Sequence, residues 1–558
     1  MGMTLTIELV LATAIGAGFG ILFRFESRGY AALTSSGLLY GLLWWLLGPL
    51  TLVPLLMGRV PLWSVTAART AFPSLIGLLL YGVILGFSFY TFWLLFQRLH
   101  PSAATDDHRE KPGKKRVVIL GGGFGGMAVA RQLEKLFARN AAIEIVVVSK
   151  SNHLLFTPML AEVSGGSLEA HHISPPLRAS LAWAQVIRAE VDAIDPATKC
   201  IELRENLTAA SRTLTYDQLV LALGSDTSDQ GVPGVEQYAY PLRTLHDATR
   251  LCNQLVTTLE RADVEKDKLA QRRALSVVVV GGGYSGVEAV AELFDMTRML
   301  LRYYPNIPET ALRFVLIHSH QRILPQIGEE LADYALHKLK GRGIEFFLGV
   351  HVKEVSAAGV TLEDGTELPA TTVVWTAGNR PNPAVASLVC EHNHAGAVIT
   401  DETLSVKGLT DVWAVGDCAQ IPDYYQDGNP CPPIAQHAQR EGMQAAKNVA
   451  AVLRSEAAKP FRFRSLGTLV PLGHRTAVAE LHSIKFSGLF AWFLWRTIYL
   501  AKLPGLEKKL RVALDWTLDL FFARDIVLTT DSAFVEKSET PKHSPKDASL
   551  HRIQEKSL

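Results

Sequence analysis

The sequence predicts an α/β fold with two Rossmann-like dinucleotide-binding domains, N-terminal transmembrane helices ahead of them and a C-terminal amphipathic membrane-anchoring region behind. Three observations predict it. Two G-x-G-x-x-G turns each stand between a β-branched run and a helical run. Long apolar runs fill the first hundred residues, and apolar residues recur at helical spacing near Leu510–Phe522.

Composition sets the outer bounds. At 558 residues the chain has room for three or four domains of about 150 residues. A net charge of +1 gives no electrostatic footprint for nucleic acid or an acidic partner. The five cysteines, Cys200, Cys252, Cys390, Cys418 and Cys431, contain no C-x-x-C pair. Neither a zinc site, a redox-active dithiol nor a disulfide framework is expected from that spacing, and no metal is predicted.

The first element is the apolar region 1–99. The runs Leu5–Phe23, Leu38–Met57 and Phe72–Phe96 each approach the ~20 residues that a helix needs to cross the hydrocarbon. No cleavage pattern follows the first, so a signal peptide is not predicted. Pro49 and Pro54 predict a distortion in the second. Leu39-Tyr40-Gly41-Leu42 is echoed by Leu80-Tyr81-Gly82-Val83, which suggests glycines at a close helix contact. The second and third runs hold no Asp, Glu, Lys or Arg, so they read as an anchor and not an ion path. Arg98, Arg109, Lys111, Lys114, Lys115 and Arg116 follow, which orients everything downstream to the cytoplasmic side of a multi-pass cell (inner) membrane protein. Residues 100–115 read as a linker and the charged stretch 531–558 as a disordered tail.

From Arg116 onward, short β-branched runs alternate with helical stretches, as in parallel α/β sheets. Val117-Val118-Ile119-Leu120 runs into Gly121-Gly122-Gly123-Phe124-Gly125-Gly126 and the helical Met127–Phe137. Val277-Val278-Val279-Val280 runs into Gly281-Gly282-Gly283-Tyr284-Ser285-Gly286 and Val287–Met296. The first glycine of each motif makes the tight turn. The second lets the backbone approach a pyrophosphate, and the third lets helix pack on strand so that the helix N-terminus faces the anion. One such turn is weak evidence; two in strand–turn–helix context point to two nucleotides held face to face.

A third segment distinguishes them. Val412-Trp413-Ala414-Val415-Gly416-Asp417-Cys418-Ala419 resembles the second flavin motif of flavoproteins with two dinucleotide domains, in which the Asp holds the ribityl chain. Leu219–Ser225, with Gly224, resembles the strand that returns from their FAD domain. This resemblance assigns FAD to Gly121–Gly126, in a domain of residues 116–226 and 372–455. NAD(P)H then falls to Gly281–Gly286, in residues 227–371, and residues 456–530 form the membrane-associated region.

With these residues the chain resembles the type II NADH:quinone oxidoreductases, the non-proton-pumping alternative NADH dehydrogenases, from Arg116 to Asp525. The resemblance also rests on Asn152-His153-Leu154-Leu155-Phe156-Thr157-Pro158-Met159-Leu160, Val374-Trp375-Thr376-Ala377-Gly378, Pro432-Pro433-Ile434-Ala435-Gln436-His437-Ala438 and Ala491–Asp525. It implies hydride transfer from NAD(P)H to FAD, then electron transfer to a lipid quinone. It also implies a flavin-ring loop at Pro158, flavin contacts at Gly378, Ala435 and Gln436, and a role near the nicotinamide for Glu288. Gln436 is the first of two glutamines that the family sets one helical turn apart at the quinone. A homodimer through the C-terminal region is a further expectation from the family.

The chain departs from that pattern in three places. Ser149-Lys150 stands where the second strand of the FAD fold usually ends in an acid for the adenosine ribose. His318-Ser319-His320-Gln321-Arg322 lacks the corresponding acid of the second fold, which leaves NADPH open beside NADH and makes Arg322 a candidate for a 2′-phosphate. Arg440 replaces the second glutamine, with Gln439 beside it.

The final elements are two expected interfacial helices. One is Phe486–Leu500, with Trp492, Trp495 and Arg496; the other carries Leu510, Ala513, Leu514, Leu518, Phe521 and Phe522 on one face and Lys508, Arg511, Asp515 and Asp519 opposite. Basic residues are expected on the lipid headgroups. Two alternatives stay open: a sulfide:quinone oxidoreductase-like flavoprotein, for which Cys390 and Cys431 are the loose cysteine candidates, and a membrane-tethered nucleotide-binding redox sensor.

Overall fold

The computed structural model describes residues 13, 15–20, 30–58, 70–99, 113–137, 140–205, 210–425, 429–481, 484–524 and 527–528. Most of the run Leu5–Phe23, most of the linker and the whole tail 531–558 therefore lie outside the described residues.

Two sheets carry the molecule. The first has seven strands in the order Val412–Ala414, Gln218–Leu221, Lys115–Leu120, Ile143–Ser149, Gln185–Asp195, Cys200–Glu205 and Ser211–Thr215. Pairing is parallel across the first five, with Leu120 opposite both Val148 and Leu221, and antiparallel across the last three. The second sheet is parallel throughout: Glu345–Leu348, Arg313–His318, Ser276–Val280, Thr372–Trp375 and Ala239–Pro241. Ser276–Val280 is buried along its whole length, the state of a strand covered on both faces, which is why its sequence is an unbroken valine run.

Each Gly-rich turn leaves the end of a central strand and opens a helix, Phe124–Phe137 in the first sheet and Tyr284–Leu300 in the second. Helix Phe124–Phe137 packs against helix Ala435–Leu453 through glycines. A Cβ on Gly442 would run into the Gly125 carbonyl, so a side chain there would force the helices apart. This contact brings the helix bearing Gln436 onto the first turn.

A three-stranded antiparallel sheet, Gly467–Pro471, Ala477–Leu481 and Ile484–Ser487, leads into helices Gly488–Lys502 and Leu506–Leu518. Their apolar stripe faces outward: Leu489, Phe490, Phe493, Leu510, Leu514, Leu518, Phe521 and Phe522 are all exposed. The other face corrects most of the expected arrangement, because it turns largely inward; Arg511 alone of its four charged residues is exposed, paired with Glu507 at 2.7 Å. Trp492 and Trp495 are buried, and the Arg496 guanidinium stacks 3.9 Å from the Trp492 ring and 4.7 Å from Trp516. Asp515 meets His172 at 2.5 Å, Asp519 pairs with Arg524 at 3.1 Å, and Lys508 donates to the His171 carbonyl at 2.6 Å. A charged stripe opposite an apolar one is satisfied equally well by buried ion pairs as by water, and here the protein supplies them.

Among the described residues, two helical segments are long and apolar enough to cross a membrane, Ser36–Leu55 and Phe72–Phe92. The first is helix Tyr30–Leu47, which continues through a π-helical turn at Gly48–Leu52, where Pro49 sits, into Val53–Leu56. The repeated glycines act as expected: Gly37 lies backbone to backbone against Gly82, Gly41 against Leu78 and Gly86 against Leu33. Phe19, from the short described stretch of the first run, packs edge-on against Tyr40 and Phe89 at 5.4 and 5.8 Å.

Candidate active site

The two turns are built alike. Gly121 and Gly281 hold φ of +115° and +116°, which L side chains rarely adopt, and a Cβ on Gly126 or Gly286 would strike the carbonyl of that first glycine. The middle glycines differ in the way a ligand cradle requires. Nothing lies within 4 Å of a Cβ built on Gly123, and only the Gln326 amide, at 3.7 Å, approaches one on Gly283. Each turn thus leaves open backbone at a helix N-terminus, which fits a pyrophosphate. Phe124, Gly125, Tyr284 and Ser285 follow in the first turns of the two helices.

The residues at the missing acids lie beneath the turns. Ser149 is buried, with its Oγ 2.7 Å from where a Gly122 Cβ would stand. Lys150 points outward and pairs with Glu190 of the neighbouring strand at 2.7 Å, so a carboxylate does reach this region from an unexpected strand. His318 occupies the matching place in the second fold. Its Nδ1 accepts the Gly282 N–H at 3.1 Å, which puts the ring proton on Nε2, and Nε2 is buried with no partner. Burial, helped by His320 5.1 Å away, pushes His318 down to about 4, so it is neutral near pH 7. Arg322 is turned toward the Pro325 and Ile327 carbonyls at 3.3 and 3.4 Å.

Asp417 stands on a short turn after Val412–Ala414. One carboxylate oxygen, Oδ2, accepts from Ser225 Oγ at 2.8 Å and from Arg243 at 3.2 Å, leaving Oδ1 for a ligand hydroxyl. Ser225 ends the segment Leu219–Ser225 quoted above, whereas Arg243, 174 residues from Asp417 in the chain, was not singled out. Glu441 was also missed: its carboxyl accepts the Gly416 N–H at 2.8 Å, and burial raises it to about 8. Gly224 and Gly378 hold φ of +70° and +77° at the strand ends that close this region, and Gly378 lies against Gln230. Pro158 sits half-buried in the 3-10 turn Thr157–Met159. Beside it Phe156 packs edge-on against Phe124 and Tyr499, at 5.7 and 6.2 Å.

Ala435 and Gln436 open helix Ala435–Leu453, and the Gln436 amide donates to Ser465 Oγ at 3.2 Å. One turn on, exposed Arg440 lies over Phe463 at 5.5 Å. Glu288 lies on Tyr284–Leu300 with part of the residue open to the surface, while its carboxyl is enclosed. Burial first, then Glu162 and Glu292, holds its pKa well above the carboxylate range. Glu162 and Glu292 are themselves buried. The Trp516 indole donates to Glu162 Oε1 at 3.0 Å, and Arg524 meets Glu292 at 3.2 Å. The structure therefore joins the helix after the second turn, the loop at Pro158 and the C-terminal helices through three carboxyls and two arginines, Arg496 and Arg524.

Comparison with known proteins agrees with this geometry. Residues 115–442 match the model of the pyridine nucleotide-disulphide oxidoreductases, and residues 466–525 that of the NDH2 C-terminal domain. A demethylphylloquinone reductase of Synechocystis is 34% identical over 409 residues, 72% of this chain and 96% of that protein. A type II NADH:quinone oxidoreductase of Mycobacterium tuberculosis is 29% identical over 446 residues, 76% and 92% of the two chains. The NDH2 structure from Plasmodium falciparum in complex with NADH superposes with a TM-score of 0.69 over 74% of this chain and all of that one, at 19% identity, which bears on the fold. The chain belongs to the type II NADH:quinone oxidoreductases, carrying in addition the apolar helices ahead of residue 113.

Proposed function

We propose that the chain oxidises NADH, with NADPH open as a second donor, and reduces a membrane quinone: NADH + H⁺ + Q → NAD⁺ + QH₂. The observation that carries this is the pair of Gly-rich turns of equal geometry, one answered by Asp417 and the other by the enclosed Glu288. FAD, held by Gly121–Gly126, Ser149, Gly224, Asp417 and the Ala435–Gln436 helix start, supplies the two-electron relay when bound. The protein's part is position and electrostatics. Gly281–Gly286 and His318 would seat the nicotinamide nucleotide, with the His318 Nε2–H as a donor to its ribose. The Glu288 carboxyl, whose pKa burial and the neighbouring carboxyls hold well above the ordinary carboxylate range, would stand beside the nicotinamide. Gln436 would contact the quinone head.

Family members associate with membranes, and the outward apolar stripe on the C-terminal helices suits a lipid surface from which quinone enters. The finer placement stays with this reading: a multi-pass anchor in the cell membrane, catalytic domains on the cytoplasmic side, and a homodimer through the C-terminal region. The sulfide alternative finds little support, since the Cys390 thiol faces His392 at 3.9 Å in a loop of the first sheet's flank.

The test is anaerobic stopped-flow on the detergent-solubilised protein, following flavin absorbance with NADH or NADPH and then a quinone analogue. Bleaching by nucleotide and recovery on adding quinone are expected. A flavin that neither nucleotide bleaches would overturn the assignment.

A further inference from the structure

A third constellation lies apart from both turns. Asp423, Cys431 and His437 each bring one ligand atom to a common point, all within 4.8 Å of one another. Their placement follows from local structure. Asp423 N–H bonds the Asn429 carbonyl and Cys431 N–H the Ile421 carbonyl, both at 2.8 Å, so the two residues stand on facing arms of a hairpin. Pro432 and Pro433 carry the chain on to helix Ala435–Leu453, whose first turn holds His437.

Of the three, His437 is the one with a buried atom that lacks a partner. Asp423 is 5% exposed, and among the described residues its carboxylate accepts from the Tyr425 N–H at 2.9 Å and pairs with no cation. His437 is 2% exposed, and its Nδ1 is buried without a partner. The Cys431 sulfur is half-buried, with the Glu441 and Asp423 carboxyls nearby. Buried charges in proteins are normally paired or bound to metals. A hairpin and a helix start thus bring a carboxylate, a thiol and an imidazole with a partnerless nitrogen to one point, which is the donor set of a cation site.

We infer that Asp423, Cys431 and His437 form a site for a divalent transition-metal cation of the Zn²⁺ class. The donor set of one sulfur, one imidazole nitrogen and one carboxylate oxygen suits a borderline-soft ion and not Mg²⁺ or Ca²⁺, which take oxygen ligands. The charges close: a thiolate and a carboxylate neutralise the dication, with His437 neutral. Binding breaks the Cys431 S–H bond, the sulfur keeps the electron pair for the metal, and the proton leaves to solvent. Three protein ligands leave a fourth position for water. The ion would tie the hairpin to the helix start one residue from Gln436, and so would hold that side chain in place.

The experiment uses the full-length, FAD-containing protein in detergent, stripped with chelator and reloaded with Zn²⁺ or Co²⁺. The expected result is one equivalent of Zn²⁺ retained through desalting, and a thiolate-to-cobalt charge-transfer band in the near ultraviolet. In Cys431→Ser and His437→Gln, affinity should fall by more than about tenfold while the flavin spectrum is unchanged. The cobalt spectrum of the unaltered protein needs no variant: absence of the thiolate band overturns the inference even if the variants fail to fold. Retention of a full equivalent in both variants overturns it as well. Metal content is read independently of turnover, so its failure leaves the quinone reductase assignment standing.

Discussion

Glu162 shows what a single residue can hold at a junction. It lies four positions after Pro158, accepts from the Trp516 indole, and faces Glu288 and Glu292 from the nucleotide fold and Arg496 and Arg524 from the C-terminal region. Burial above all, then Glu292, raises it from 4.5 to about 8, against the pull of Arg496, Trp516 and Arg524. The folded state therefore binds a proton that the unfolded chain releases. Its contribution to stability is complete below pH 4.5 and is lost as pH rises toward about 8. Glu162→Gln keeps an acceptor for Trp516 and removes the titration. Its thermal midpoint should thus decline less between those pH values than that of the unaltered protein, flattened and not level because Glu288 and Glu292 are raised too. Melting curves at a series of pH values check this; an unchanged slope would mean that Glu162 does not titrate there.

At the scale of elements, the C-terminal helices do two jobs with their two faces. The inner face is bolted by Trp495, Trp516 and buried ion pairs, while the outer presents leucine and phenylalanine. Burying one such side chain in lipid gains roughly 1.5–3 kcal/mol. Phe493→Lys with Leu514→Lys touches only exposed positions, 56% and 57% exposed, so folding and flavin content should be unchanged. The apparent KM for a long-chain quinone in liposomes should rise several-fold while that for a short soluble analogue stays level. An equal change for both substrates would place the defect inside the protein and not at the membrane.

Over the whole molecule, the parts that the proposed reaction uses all lie outside the N-terminal helices. The two sheets, both Gly-rich turns and the C-terminal helices are all drawn from Lys115 onward, and the N-terminal helices form an apolar cluster of their own around Phe19, Leu33 and Tyr40. A chain beginning at Gly113 should therefore keep its FAD and reduce a soluble quinone within about twofold of the full-length rate, since distant sites behave nearly additively. Turnover and flavin content of the truncated protein decide it. Loss of both would show that the anchor is part of the catalytic fold.

Both nucleotide folds, the apolar helices with their glycine contact, and the outward stripe of Leu514, Phe521 and Phe522 were legible in the residues alone. These are local signals: glycine where no Cβ fits, valine runs where both faces are buried, apolar residues at helical period. Which polar residues meet became visible only once the chain was folded. Arg243 reaches Asp417, Glu190 pairs with Lys150, Arg496 slides between two tryptophans, and Asp423, Cys431 and His437 converge. No period or spacing encodes such pairs, because their partners come from separate elements. A polar side chain reads as solvated until the fold removes its water, and only then does it need a partner.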